Sequence, residues 1–250
     1  MQINISITNA SDLSEFKWNW NGTNYSFYND SLVLMMNFNN VSAIGENNTL
    51  AIDVSKYANN GTAYINNSDG STRGPNATGK YGRAFDFDGV DDYIEAPRST
   101  NLEFQNEQAL TIEAWIYIRS LNNMPGIVSK REGATDNSDY QLLIGEPPFW
   151  INAPSTPKLS FSFHDGAWQT NQVGNTNLST RLNEWLHVVM IYDHDNLTAY
   201  INGVKDGNLS ISTNGIKNYS SATLKIGVHP YGPQYFDGII DEMRIWNRSL

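Results

Sequence analysis

Carboxylates gather in two short segments of this sequence. Asp86, Asp88, Asp91 and Asp92 fall in one strand-turn stretch, and Asp237, Asp241 and Glu242 in another. Crowded hard oxygen ligands suit Ca²⁺, whose shell takes about 6–8 oxygens. Turn capping is the other chemistry open to them, each oxygen accepting backbone N–H groups while staying solvated. The four histidines, His164, His187, His194 and His229, form no His-Glu-x-x-His zinc pattern. No Gly-x-Ser-x-Gly elbow, phosphate loop or dinucleotide fingerprint is present.

Aromatic residues supply a second chemistry, the stacking of sugar rings through their apolar C–H faces. Candidates are sought in loops, where function concentrates. One loop, 146–154, carries Trp150 between prolines, and Asp165 and Trp168 follow closely. Another, 229–235, carries Tyr231 and Tyr235 around further prolines. Proline stiffens both loops, so exposed rings would be held ready with little ordering cost. These five residues are the expected ligand contacts; the alternative is that the rings fold back as lids over the sandwich edge. Trp115, Trp185, Phe85, Phe87 and Ile245 alternate with polar neighbours and are expected in the core. His187 is expected to be structural.

The elements that must position these residues are strands. Helical periodicity is almost missing, while alternation recurs throughout. Phe16 to Trp20 and Tyr25 to Phe27 alternate on either side of Asn21-Gly22, and Leu197 to Ile201 precede Asn202-Gly203. Asn-Gly between such runs marks a hairpin, because both turn positions need positive φ. Further strands are expected over 32–38, 84–87, 110–118, 126–129, 140–144, 159–164, 186–193, 224–228 and 239–246. Many short strands separated by turns indicate two packed antiparallel sheets. One boundary is expected near residue 30, dividing an N-terminal hairpin or linker, 1–30, from a single domain, 31–250.

Composition narrows the partners. With 250 residues, 40% of them hydrophobic and 12% aromatic, the chain can bury a self-sufficient core. Its 16 Lys and Arg against 26 Asp and Glu give a net charge of -10, which repels phosphate backbones and argues against nucleic acid. Cysteine is absent, which excludes disulfides and thiolate chemistry. No run approaches the ~20 apolar residues of a membrane span. The start lacks the basic and apolar parts of a signal peptide, so an exported chain is expected to be a trimmed segment.

Export is the expectation, because Asn-x-Ser/Thr triplets are roughly three times as frequent as chance supplies. Candidate glycosylation sites are Asn21, Asn24, Asn29, Asn40, Asn47, Asn60, Asn66, Asn76, Asn177, Asn196, Asn208 and Asn218. Triplets are missing over about 77–176, as expected of a face that must stay bare. The glycoprotein surface points to an extracellular or cell-surface location.

Several blocks resemble the laminin G-like jelly rolls of the concanavalin A-like lectin and glucanase superfamily. They are Leu32-Val33-Leu34-Met35-Met36, Asp53-Val54-Ser55 with Asn59-Asn60-Gly61-Thr62, and Gly79-Lys80-Tyr81-Gly82-Arg83-Ala84-Phe85-Asp86-Phe87-Asp88-Gly89. Leu110-Thr111-Ile112-Glu113-Ala114-Trp115, Trp185-Leu186-His187-Val188, Tyr200-Ile201-Asn202-Gly203 and Phe236-Asp237-Gly238-Ile239-Ile240-Asp241-Glu242 complete the ordered set over 31–250. The resemblance implies an all-β, two-sheet antiparallel jelly-roll sandwich from a prokaryotic surface protein, and dense sequons without cysteine make an archaeal one attractive.

It also implies a structural Ca²⁺ tying the Phe-Asp-Gly strand to the C-terminal strand. Asp88 and Asp241 are the first choices, with Asp86, Asp92 and Asp237 beside them. Glucanase relatives cleave glycans with Glu-x-Asp-x-Glu on one strand face. That triplet is missing: Glu113 stands alone, and Asp241 and Glu242, being adjacent, are expected on opposite faces. The expectation is a non-catalytic module, stabilised by calcium, that attaches to glycan or a surface protein. The alternative is a structural subunit of a glycosylated surface layer or filament, assembling through sheet edges.

Overall fold

The computed structural model describes residues 15–20, 23–29, 31–66, 73–105, 108–121, 124–131, 138–145, 156–217, 221–230 and 234–250, with backbone only for 15–20, 23–29, 138, 168 and 170. Strands β1 (Glu15–Trp20) and β2 (Thr23–Asn29) pair antiparallel with Trp20 opposite Thr23, forming a two-stranded sheet of their own. Two large antiparallel sheets follow.

The first contains β3 (Leu32–Met36), β6 (Gly74–Thr78), β7 (Arg83–Asp88), β9 (Leu110–Ser120) and β14 (Trp185–Tyr192). With them run β15 (Asn196–Ile201), β16 (Val204–Ser210) and β20 (Asp237–Trp246). Their order is β16-β15-β14-β9-β20-β7-β6, and β3 also joins β20. The first half of β20 pairs with β7 and its second half with β3.

The second sheet contains β4 (Leu50–Ala51), β5 (Gly61–Tyr64), β8 (Tyr93–Ala96) and β10 (Gly126–Arg131). It is completed by β11 (Ser138–Gly145), β12 (Lys158–His164), β13 (Trp168–Gln172) and β17 (Leu224–Ile226). The order is β13-β12-β11-β10-β17-β8-β5-β4. A short ladder of β18 (Val228–His229) and β19 (Gln234–Tyr235) stands apart. This is the all-β sandwich that the alternation and the resemblance imply.

Alternation explains the core. Ile112, Ala114, Ile116 and Ile118 of β9 point inward with Phe85 and Phe87 of β7 and Ile240, Met243 and Ile245 of β20. They meet Ile94, Tyr140, Leu142, Phe161 and Ile226 of the other sheet in one contiguous cluster. Phe87 lies 4.7 Å from Phe85 and 6.3 Å from Phe236, ring to ring. Burying each such ring contributes about 2–3 kcal/mol, so Phe87→Ala would cost about 3–5 kcal/mol with its cavity. The hairpin β15–β16 turns at Asn202 (φ 52) and Gly203 (φ 77), the paired positive values that Asn-Gly supplies.

Two expectations need correction. Trp115 and Trp185 are not core residues: they occupy the other face of β9 and β14, half-buried, with His187 and Tyr117. Aromatic–polar alternation has the right period here, but Ile and Ala hold the inward positions of β9, and Leu186, Val188 and Met190 those of β14. Asp241 and Glu242 do not point to opposite faces either. A bulge between Asp241 and Arg244, with Glu242 at φ 51, puts both between the inward Ile240 and Met243.

Candidate functional site

The turn from β7 to β8 is built by its own carboxylates. Asp88 Oδ1 accepts the backbone N–H groups of Val90 (2.7 Å), Asp91 (3.1 Å) and Asp92 (3.3 Å). Gly89 sits at φ +77 with Asp237 so close that a Cβ would come within 2.7 Å of that side chain. Asp92, fully buried, returns the contact: Oδ2 accepts from Asp88 N and Oδ1 from Asn66 N. Burial pushes its carboxyl up to about 6, with the charges of Asp88 and Asp91 adding to the rise. Ligand oxygens of Asp88, Asp91 and Asp92 all lie within 4.8 Å of one another. Asp91 also accepts from Asn66 Nδ2, and Arg73 pairs with Asp88 at 3.2 Å.

Beside this turn, Arg119 reaches from the end of β9 across β20. Its Nε donates to Asp237 Oδ1 (2.8 Å), its Nη2 pairs with Asp86 (2.7 Å), and the same nitrogen donates to the Phe87 carbonyl. Ser120 donates to the other Asp237 oxygen at 2.6 Å. Burial alone would lower the guanidinium pKa, but the bonds and charges of Asp86 and Asp237 outweigh it and raise it.

Next to these groups opens a cavity of about 170 Å³ lined by Asp88, Gly89, Val90, Ser120, Pro125, Tyr235 and Asp237. From Tyr235 a file of tyrosines leads out over the second sheet. Tyr93 lies 6.4 Å from Tyr235, and Tyr64 stacks on Tyr93 at 4.7 Å and 11°. The pairing of β5 with β8 sets Tyr64 directly opposite Tyr93, both facing away from the core. Tyr64 is 45% exposed, and Lys225 Nζ sits 5.2 Å over the Tyr93 ring. Glu95, one outward position along β8, accepts from Thr223 Oγ1 at 2.6 Å. Burial raises both the Tyr93 and Tyr235 hydroxyls, with Glu95 acting on the first and Asp91 and Asp88 on the second. Both therefore stay protonated donors at neutral pH.

Of the expected metal residues, the fold gathers Asp86, Asp88, Asp92 and Asp237 at this end. Asp241 is elsewhere, four positions further along β20 and opposite Trp115, roughly 13 Å away along the strand. It therefore cannot share a coordination shell with Asp88. Its Oδ2 accepts from Tyr81 N, and burial pushes it up to about 6.

Of the expected ligand residues, Tyr235 lines the cavity. Asp165 caps its own turn through Ala167 N, Gln169 and Thr213. Burial would raise its pKa, but these bonds outweigh it and lower it. Trp168 begins β13 opposite His164. Trp150 and Tyr231 lie outside the described residues, as do Asn21 and Asn218. Among the other sequon residues Asn47, Asn76 and Asn208 are exposed, while Asn60 Oδ1 accepts from Asp53 N and Asn177 caps a 3₁₀ turn. Asn24 and Asn29 lie on β2. Tyr64, Tyr93 and Arg119 were not among the expected residues. Their signal was an aromatic at an outward position of a short strand and a lone basic residue closing a long one.

A second polar cluster covers the outer face of the first sheet. Glu113 accepts from Trp246 Nε1 (3.1 Å) and pairs with Arg244 (3.5 Å) and His187 (3.4 Å). Arg244 also holds Glu242. Burial would raise the Glu113 pKa; His187, Arg244 and Trp246 together lower it. General-acid cleavage needs an accessible carboxyl with a raised pKa. Asp92 and Asp241 are raised but fully buried and hold backbone N–H groups, while Glu242, raised by burial, is half-buried and held by Arg244.

A protein-family model described as the concanavalin A-like lectin/glucanases superfamily, laminin G type, matches residues 88–250. A search of curated protein sequences gives no match. Among solved structures, the binding domain of Paraclostridial Mosquitocidal Protein 1 superposes with a TM-score of 0.59 at 18% identity, covering 88% of this chain and 50% of that one. Domain 4 of AbnA, a GH43 extracellular arabinanase from Geobacillus stearothermophilus in complex with arabinotriose, gives 0.58 at 22%, covering 88% and 94%. The ligand binding domain of botulinum neurotoxin serotype D, in complex with N-acetylneuraminic acid, gives 0.58 at 14%, covering 88% and 48%. The chain spans about half the length of the two toxin chains. At these identities the likeness speaks for the fold. With two stacked sheets in place and most of its length matched, the chain belongs to the concanavalin A-like lectin/glucanases superfamily, in its laminin G branch.

Proposed function

We propose that this chain is a non-catalytic recognition module of an exported, cell-surface protein. Its ligand is a neutral glycan, lying along Tyr64, Tyr93 and Tyr235 with one sugar entering the acidic cavity. The observation that carries this reading is the continuity of the tyrosine file with a pocket whose walls are hydrogen-bond acceptors. Sugar C–H faces stack on phenol rings, while hydroxyls donate to Asp88 and Asp237 and accept from Tyr235. Carboxylates at the pocket and a net charge of -10 favour an uncharged sugar over a sialylated one. The arabinanase domain solved with arabinotriose, which this chain nearly spans, supports that preference.

Calcium enters this reading at Asp88, Asp91 and Asp92. Two oxygens bound to one Ca²⁺ at about 2.4 Å can lie no more than about 4.8 Å apart, and these three meet that limit. The ion would relieve the repulsion that helps raise Asp92.

The test is a neutral-glycan array followed by calorimetric titration of the hits. Wild type binds, and Tyr64→Ala, which alters an exposed ring, keeps the melting temperature and loses binding. Equal binding by a folded Tyr64→Ala protein would refute the site. Assembly through sheet edges is a second reading, favoured by β16. Among the described residues this strand pairs on one side only, with Val204 70% exposed. Light scattering separates the two, stable oligomers favouring assembly.

A further inference from the structure

Resemblance to laminin G-like domains implies a calcium ion tying β7 to β20, and the residues at that seam do not fit one. Asp88 and Asp241, the first choices, lie too far apart to share an ion, which leaves at the seam the Asp86 and Asp237 carboxylates with the Phe87 carbonyl between them. Asp237 and the Phe87 carbonyl already receive N–H groups of Arg119, the first at 2.8 Å, and Asp86 forms an ion pair with the same guanidinium at 2.7 Å. The second Asp237 oxygen takes the Ser120 hydroxyl at 2.6 Å. A Ca²⁺ at its usual ~2.4 Å from these oxygens would stand against the guanidinium, cation to cation.

We infer that Arg119 is the built-in counterpart of that ion, a guanidinium that pairs with both Asp86 and Asp237 and ties β7, β9 and β20 together without metal. The fork geometry suits the task, because Nε and Nη2 address carboxylates on two different strands at once. The ladder supplies the convergence: β20 runs between β7 and β9, with Asp237 opposite Asp88 on one side and Ser120 on the other. Asp237 also lines the cavity, so Arg119 acts there as a positioning residue. It pins the carboxylate, with Ser120 as its second anchor. This inference stands apart from glycan binding and would survive its failure.

The experiment uses the full chain carrying Asp91→Asn, which removes the neighbouring acidic trio as a source of calcium response. Melting is followed calorimetrically in chelator and in millimolar CaCl₂. The Asp91→Asn protein is expected to melt at one temperature in both. Adding Arg119→Gln is expected to lower that temperature by roughly 4–8 °C in chelator. CaCl₂ should restore at least half of the loss, since the vacated site leaves its hard oxygens converging on one point. Arg119→Lys, which keeps the charge but cannot fork, should show about half the loss and a smaller calcium response; it carries the test if the Gln variant does not fold. A calcium-dependent melting temperature of the Asp91→Asn protein with Arg119 still present would overturn the inference. So would an Arg119→Gln loss that calcium leaves untouched, or no loss at all.

Discussion

Two regions of this sandwich gather carboxylates around an arginine, and only one of them leaves something for a ligand. On the outer face of the first sheet, Glu113 spends both oxygens on Trp246, Arg244 and His187, while Arg244 closes onto Glu242. At the β7–β20 end, Arg119 pins Asp86 and Asp237, yet Asp88 and Asp237 still line a cavity that continues through half-buried Tyr235 and Tyr93 to exposed Tyr64. Ion pairing alone does not mark a binding site. What distinguishes the second region is acceptors on a concave wall beside rings that can be reached from solvent.

The sharpest way to break the comparison is to remove the middle ring. Tyr93→Ala takes away the ring that both Tyr64 and Tyr235 approach, and a central hot-spot aromatic is worth about 2–3 kcal/mol. Affinity for the neutral glycan should fall roughly 30-fold or more, read by calorimetric titration. Trp185→Ala, on the other sheet face, should leave the same titration unchanged. A Trp185 effect as large as the Tyr93 effect would reverse the assignment of the two regions.

Glu113→Gln tests the opposite side. Losing the charge strands Arg244 and His187 beside a neutral amide, at a cost of about 2 kcal/mol for charge-assisted bonds. The melting temperature should fall by about 4–8 °C while glycan affinity stays constant. Loss of binding without loss of stability would make Glu113 a ligand contact.

Much of this contrast could be read from residues, and the missing parts have physical reasons. Period-2 alternation located the strands that matter, from Phe85 and Phe87 to Ile245, because the inward face of each must be apolar. The Asn202-Gly203 turn was legible because its geometry needs those residue types. The acidic turn was legible as a cluster, but not the arginine that answers it. Arg119 meets Asp86 and Asp237 only through the order β7-β20-β9, which no local pattern encodes. Tyr64 and Tyr93 likewise sit on four-residue strands too short to show a period, and they become a stack only through cross-strand register. The bulge at Glu242 needs a positive φ without glycine, so regular alternation was the wrong rule there.

Acidity sharpens the comparison in a third way. Asp92 and Asp241 are pushed up to about 6, above the ~3.9 of an unfolded chain, so the folded state binds protons more tightly between those values. Their contribution is complete below about pH 4 and is lost as pH rises through 6. Glu113 and Asp165, held below their ordinary values, act in the opposite sense and lose stability as pH falls through their folded pKa. The net expectation is a gain of about 1–2 kcal/mol from pH 7.5 to pH 5, visible as a melting temperature that rises on mild acidification. Asp241→Asn should flatten that rise, and a melting temperature that falls steadily below pH 7 would contradict the burial of both carboxyls.

Calcium gives the smallest effect and the finest test of where an ion can sit. At about ten times its dissociation constant, an ion bound only by the folded chain adds about 1.4 kcal/mol. At the partly exposed trio of Asp88, Asp91 and Asp92 the gain should not exceed that, at most about 3–6 °C in melting temperature. Asp91→Asn should abolish the shift, because Asp91 leaves the β7–β8 turn intact: the turn is held by Asp88 and Asp92. A calcium response that survives Asp91→Asn but vanishes with Asp237→Asn would move the ion to the seam. Arg119 would then be a neighbour of the metal rather than its replacement.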